Sequence, residues 1–305
     1  MLDARNLHID TALTNVSIAF KNQALIAELL LPVINVKKMS DIYWIYGKEA
    51  FKIHDTYRRD GTESNEVGFT LSQGTYSTED HALKEIVTDR QRDNADAPLK
   101  PDVDTTEFLT DCLALKQEKL AADLLISSTN LSTGTTLSGT SQWSDYSNST
   151  PLSDIKTAKA AVRAAIGKEP NFFFLAGDVA EALSLHPEIK DLRKHTDSNL
   201  LTNAGLPPKI LGLTVIEGLA IYDKAYLGMT ASMTYVWGKN CIIGYKADRP
   251  GIKSLSMGYT FRMGAKTTKK WREEKRGGDL VEVADSYVAK IISSACAYLI
   301  QSAIA

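Results

Sequence analysis

The order of apolar and polar residues changes period several times along the 305-residue chain, and no unit repeats. The first 20 or so residues are polar with little periodicity and predict an extended arm. The stretch "NQALIAELLLPVINV" predicts a short helix stopped at Pro32, because the residue before a proline resists helical geometry. From Asp41 to Ile53, Ile42, Trp44 and Tyr46 alternate with Tyr43 and Ile45, which predicts a strand with both faces at least partly covered. Val67, Phe69 and Leu71 alternate with Gly68, Thr70 and Ser72 and predict a returning strand with one polar face. Between them "HDTYRRDGTESN" is too long for a tight hairpin and carries both signs of charge. Two such strands without a third partner are marginal alone, and their edges invite pairing. The arm is therefore expected either to lie over a neighbouring subunit or to pack on its own domain.

Beyond a polar linker with two prolines, Asp104 stands three residues before Glu107, the spacing of a capping box. In "EFLTDCLALKQEKLAADLLIS", Leu109, Leu113, Leu120 and Leu124 recur at helical spacing, with Phe108, Cys112 and Leu115 beside them. The pattern predicts an uninterrupted helix of about 24 residues, about 36 Å long. Ser127 to Thr150 is rich in Ser, Thr, Gly and Asn and reads as a long loop, functional or covered by a partner, punctuated by Leu131, Leu137, Trp143 and Tyr146. A helix follows with Ile155, Ala158, Val162, Ala165 and Ile166 on its apolar face and Gly167 as its C-terminal cap. "NFFFLAG" predicts a buried strand, Asp178 and Glu181 a capped helix, and Pro187 the first turn of another. The last third reads as mainly β. "KILGLTVIEG" is one expected strand, a hairpin is expected to turn at Gly238-Lys239-Asn240, and "SLSMGYTFRM" and "GDLVEVADSYVAKII" complete the set. The fold class is α+β.

Composition narrows the chemistry. Thirty-five basic and 37 acidic side chains give a formal charge of −2, which argues against a dedicated nucleic-acid binder but not against a container that touches nucleic acid weakly. Cys112, Cys241 and Cys296 fit neither a zinc site nor a redox pair and read as free thiols. No signal peptide or membrane helix is indicated, so a soluble, cytosolic chain is expected. Phosphate loops, dinucleotide fingerprints, nucleophile elbows and zinc-helix motifs are missing, and the five histidines are scattered, so no catalytic, cofactor-binding or metal-ligating residue is nominated. The cluster "KTTKKWREEKRGG" holds Lys266, Lys269, Lys270, Arg272, Lys275 and Arg276. It reads either as a contact to phosphate or an acidic neighbour, with Trp271 as anchor, or as a solvated loop partly neutralised by Glu273 and Glu274.

Taken in order, these parts resemble a tailed-bacteriophage major capsid protein of the Hong Kong 97-type fold. "YRRDGTESNEVGFTLSQGTYSTEDHALKEIVTD" resembles the extended loop, and "DTTEFLTDCLALKQEKLAADLL" the spine helix. "PPKILGLTVIEG" is similar to an inserted-domain strand, and "DLVEVADSYVAKIISSACAYLI" to the closing strand and tail. The resemblance implies an N-terminal arm (1–38), an extended loop (39–80), a peripheral domain with the spine helix (81–150), an axial domain (151–250) and a return to the peripheral domain (251–305). It makes Trp44, Arg58, Arg59, Asp60, Glu63 and Phe69 candidate inter-subunit contacts. It implies a non-enzymatic shell subunit, assembled in the host cytoplasm into homo-pentamers and homo-hexamers of a virion. Its expected partners are a separate scaffolding protein, a portal, decoration proteins and weakly contacted double-stranded DNA, with no membrane and no cofactor. No covalent cross-link is expected from Lys48 or Lys52. An encapsulin-type compartment shares the fold and is the alternative, ahead of a soluble α+β enzyme.

Overall fold

The computed structural model describes residues 22, 25–95, 99–194, 201–226, 228–249, 251 and 254–305. The polar arm expected over the first 20 residues lies outside the described residues. Helix α1 (Ala27–Leu30) stops ahead of Pro32, as the proline requires, and leads into β1 (Val33–Val36).

β2 (Ser40–Tyr46) pairs antiparallel with β3 (Leu71–Ser77), in register from Ser40 opposite Ser77 to Tyr46 opposite Leu71. β2 is shorter than its pattern predicts, and β3 starts four residues after its pattern does and runs on to Ser77. The ladder ends where Gly47 N–H donates to the Thr70 carbonyl, and a 3₁₀ turn over Glu49–Phe51 carries the chain away. Nor are both faces of β2 covered. Ile42, Trp44 and Tyr46 stand exposed, because no second layer among the described residues lies over them.

β4 (Glu79–Thr88) runs into α2 (Asp89–Asp93), closed by a Thr88–Gln91 capping box. The long helix α3 spans Pro101–Leu125 and starts three residues before the expected cap. Pro101 takes the first helical position, where a missing N–H costs nothing. Asp104 instead reaches back to accept from the Lys100 N–H at 3.1 Å. The buried face comprises Leu109, Leu113, Gln117, Glu118, Ala121, Ala122 and Leu125, while Phe108 is exposed.

The Ser/Thr-rich stretch is not a free loop. Leu131, Leu137 and Trp143 sink into the core of their own chain, and a short strand β5 (Gly134–Thr136) forms within it. α4 (Pro151–Ile166) matches its apolar pattern, and Gly167 closes it at φ 67°. β6 (Phe172–Ala176) is wholly buried. α5 (Gly177–Leu185) starts without a side-chain cap, so the Asp178–Glu181 box does not form, whereas α6 (Pro187–Arg193) begins at Pro187 as expected. "KILGLTVIEG" is two strands, β7 (Lys209–Ile210) and β8 (Leu213–Gly218), folded back on each other through Leu211 and Gly212, both at positive φ. β9 (Ile221–Asp223) pairs with β10 (Met233–Tyr235), so the hairpin expected at Gly238 is not made. β11 (Cys241–Gly244) lies elsewhere, between β6 and another strand. The chain ends with β12 (Gly258–Met263), β13 (Thr267–Glu273), β14 (Gly278–Ile291) and β15 (Ala297–Gln301). β13 carries Lys269, Lys270 and Arg272 of the basic cluster, Lys266 precedes it, and Lys275 and Arg276 fall in the 3₁₀ turn that follows.

Two larger sheets organise these elements. In the first, β14 is the central strand. β4 pairs along one edge, β13 and β12 follow each other along the other, and β1 extends the sheet beyond β12. α3 crosses this sheet through Leu109 and Leu113 against Val87, Val281 and Val283. The second sheet has the order β5-β15-β11-β6-β8-β7, and the main core forms around it with α1, α4, α5 and the C-terminal part of α3. β12, β13 and β14 thus lie in the sheet that α3 crosses, while β15 joins the sheet of β6.

Candidate assembly surface

The arm is anchored at its root by aromatic rings. Phe261 of β12 stacks on Tyr76 at 4.5 Å and on Tyr43 at 5.7 Å between centroids, and Tyr76 and Phe261 are buried. Outward from there the apolar side chains lose their cover. Trp44 is 54% exposed, Phe69 71% and Ile53 101%, and Ile42, Tyr46, Tyr57, Val67 and Leu71 are exposed with them. The pairing register sets Ile42, Trp44 and Tyr46 on one face with Leu71, and Tyr46 and Phe69 stack at 6.1 Å. A contiguous apolar ribbon on a projecting hairpin marks an interaction surface, since single chains rarely leave such area open to water.

The tip is folded by its own backbone. Thr62 donates from N–H and Oγ1 to the Arg59 carbonyl at 3.2 and 2.8 Å, and Arg58 Nε donates to the Thr62 carbonyl at 2.6 Å. Arg58, Arg59, Asp60 and Glu63 are exposed there and form no ion pair among the described residues. Trp44 and Phe69 lie back along the ribbon, so the structure separates the six candidate contacts into a charged tip and an apolar shaft.

The basic cluster also splits. Lys270 and Arg272, on one face of β13, turn towards the start of α3. Arg272 grips Asp89 with two hydrogen bonds of 2.6 and 2.7 Å, and Lys270 reaches Asp102 at 2.9 Å. Arg92 joins the group through Asp102 and Asp279, both at 2.9 Å. The Arg272 hydrogen bonds hold the Asp89 carboxyl below its ordinary range. For Asp102, burial works upward, but hydrogen bonds from Arg92 and Lys270 outweigh it and the carboxyl is held low. These two basic residues brace α2, α3 and β14 within one subunit. Lys266, Lys269, Lys275 and Arg276 remain exposed without an ion pair among the described residues, near the partly exposed Trp271.

Behind the surface lies a buried joint that the sequence did not announce. Glu118 of α3 is fully buried and accepts from Ile26 N–H at 2.9 Å, Ala27 N–H at 2.7 Å and Trp237 Nε1–H at 2.6 Å. It fastens the start of α1, the helix α3 and the turn at Trp237 at one point. Burial pushes its carboxyl upward, against those three donors. Nearby Arg262 donates to Glu28 at 2.7 Å and lies 3.2 Å from the buried Asp285. Among the described residues no group of His, Cys, Asp and Glu side chains is placed to hold a metal ion, and no helix is long and apolar enough to cross a membrane.

No protein-family model matches the chain. Two curated proteins align with it nearly end to end. The major capsid protein of Pseudomonas phage JBD67 is 29% identical over 310 residues, covering 97% of each chain. The major capsid protein of Burkholderia phage BcepMu is 26% identical over 300 residues, covering 96% of this chain and 95% of its own. Among solved structures, a phage-related protein from Bordetella bronchiseptica RB50 superposes with a TM-score of 0.68 at 24% identity over 93% of both chains. The capsid of cyanophage P-SCSP1u superposes at 0.65 and 14% identity, over 97% of this chain and 93% of that one. The SrpI encapsulin of Synechococcus elongatus PCC 7942 follows at 0.56 and 13%, over 96% and 95%. The chain has the Hong Kong 97-type capsid fold and is a homologue of phage major capsid proteins.

Proposed function

We propose that this protein is the structural subunit of an icosahedral phage head, building pentamers and hexamers of itself around double-stranded DNA. The observation that carries the reading is the arm, a hairpin whose apolar ribbon of Ile42, Trp44, Tyr46, Phe69 and Leu71 has no cover among the described residues. A second copy supplies that cover, with the ribbon laid on the neighbour's surface and Arg58, Arg59, Asp60 and Glu63 pairing at the tip. Each exposed pair contributes on the order of 0–1 kcal/mol, and the repetition of a closed shell multiplies it. Lys266, Lys269, Lys275 and Arg276 are the residues left for a neighbour or for DNA phosphates, and the near-neutral total charge suits weak, releasable contact. The subunit acts without catalysis, cofactor or covalent cross-link. It assembles in the host cytoplasm with a separate scaffolding protein, and it meets a portal and decoration proteins in the virion.

The encapsulin likeness supports a second reading, a cargo-holding compartment of the same fold. Expression of the chain alone and with a scaffolding protein, followed by sedimentation and negative-stain imaging, separates the two. Large shells, tubes or capsomer rings support the phage head, small uniform cages the compartment, and a persistent small species neither.

A further inference from the structure

Where the arm leaves its paired strands, its two legs are tied together. Gly47 N–H donates to the Thr70 carbonyl at 3.0 Å, and Thr70 Oγ1 donates to Glu49 at 2.6 Å. A Cβ on Gly47 would lie 2.2 Å from Glu49 Oε2 and 2.4 Å from Thr70 Oγ1, so a side chain there would push this hydrogen-bonded pair aside. The same turn touches the body a second time, far from the aromatic root. Lys48 Nζ donates to the Ala165 carbonyl at 2.8 Å, and the Phe51 ring lies 2.9 Å from where a Cβ on Gly167 would stand.

Both contacts fall on the C-terminal end of α4. Ala165 precedes the last residue of that helix, so its carbonyl is among those a helix leaves without an internal partner. A lysine there satisfies the carbonyl and sits at the negative end of the helix dipole. Gly167, in the left-handed conformation that caps the helix, offers bare backbone on which an aromatic ring can rest. Lys48 and Phe51 stand three residues apart across a 3₁₀ turn, the spacing that brings two side chains to one side.

The geometry points to Lys48 and Phe51 as positioning residues that dock the elbow of the arm on α4 of the same chain and set the angle at which the arm projects. The inference rests on the assembly reading above. The root of the arm packs on Phe261 of the β14 sheet, and the dock is a helix packed on the sheet of β6, so the elbow also couples the placement of those two parts to the direction of the arm. Phe51 is 65% exposed and the Lys48 bond is open to water. Such a dock is weak enough for a neighbour's contacts to shift between docked and free arms. A fixed arm angle in the free subunit favours one curvature of assembly.

The test uses the full chain with Lys48→Met and Phe51→Ala, singly and together, Lys48→Arg and Phe51→Tyr as conservative partners, and Gly167→Ala on the receiving side. Hydrogen exchange of the peptide 47–53 in unassembled subunit reads the dock, thermal unfolding reads the fold, and imaging of assembled particles reads curvature. The double variant is expected to exchange about fivefold faster in that peptide with an unchanged unfolding midpoint. Its particles broaden in size or stay open, while the conservative variants restore both readouts and Gly167→Ala copies the loss. Should the wild type assemble and the double variant match it in exchange and particle size, the positioning role is wrong and the assembly reading stands. Should the wild type form no particle with or without scaffold, the assembly reading fails and the positioning role falls with it, whatever the exchange shows.

Discussion

Removing the carboxylate of Glu118 should loosen three parts of the chain at once. Its oxygens accept from the Ile26 and Ala27 N–H groups at the start of α1 and from the Trp237 indole, and none of these donors has water to turn to. Hydrogen bonds to a charged group contribute on the order of 1.5–3 kcal/mol each, less the cost of burying the charge. Glu118→Ala deletes the acceptor and strands three donors in a cavity, so the expected loss is about 3–5 kcal/mol. In a chain of this size that lowers the unfolding midpoint by about 5–8 °C. The assay is urea and thermal unfolding of the unassembled subunit, followed by tryptophan fluorescence, since Trp237 reports the site. pH adds a signature. Because burial raises the Glu118 pKa above its unfolded value, the folded state holds an extra proton over that window. Its contribution therefore weakens as pH climbs from the ordinary carboxylate range through the raised value, then levels off. Glu118→Gln should abolish that decline. A Glu118→Ala protein within about 0.5 kcal/mol of wild type would refute the reasoning, because such small changes belong to open surface sites.

Other consequences follow from the same structure. Trp44→Asp and Phe69→Asp should prevent assembly while leaving the unfolding midpoint of the subunit within a degree or two, since both side chains are already in water; matched sedimentation and melting curves check this. Arg272→Ala should take one cation from Asp89 and Asp279 while Arg92 stays on both, and so lower stability slightly in urea unfolding at low salt, with the difference shrinking at high salt. Acid should act on this network in a set direction: with Asp89 and Asp102 held low, its stabilisation is present above their unfolded pKa and is lost as pH falls through the lowered values, visible as a fall in melting temperature that Arg272→Ala makes shallower. Phe174→Ala, in the centre of the buried β6, should cost about 3–5 kcal/mol in the same unfolding assay.

What the sequence revealed follows the range of the forces involved. α4 and its Gly167 cap were legible because an amphipathic helix and its stop are written within one stretch of chain. β6 and β14 were legible as dense or alternating apolar runs, and the arm as two apolar strands joined by a long charged connection. Non-local pairing was not legible. β10 turns to β9 instead of β11, and β15 leaves the sheet of β14, because pairing partners are chosen by the assembled core and not by neighbouring residues. Leu211 at φ 51° hid the break between β7 and β8, since a leucine seldom marks a turn. Glu118 was invisible for the same reason: its donors lie 92, 91 and 119 residues away. The basic cluster read as one feature, yet the two-residue period of a strand gives Lys270 and Arg272 to one face and Lys269 and Trp271 to the other.

The most direct test of the shell subunit is the size of what the pure chain forms. Sedimentation velocity with negative-stain imaging, on the chain alone and with a scaffolding protein, should give capsomer rings, tubes or closed shells that vanish in Trp44→Asp. A monomer or small oligomer under every condition, unchanged by that substitution, would contradict it.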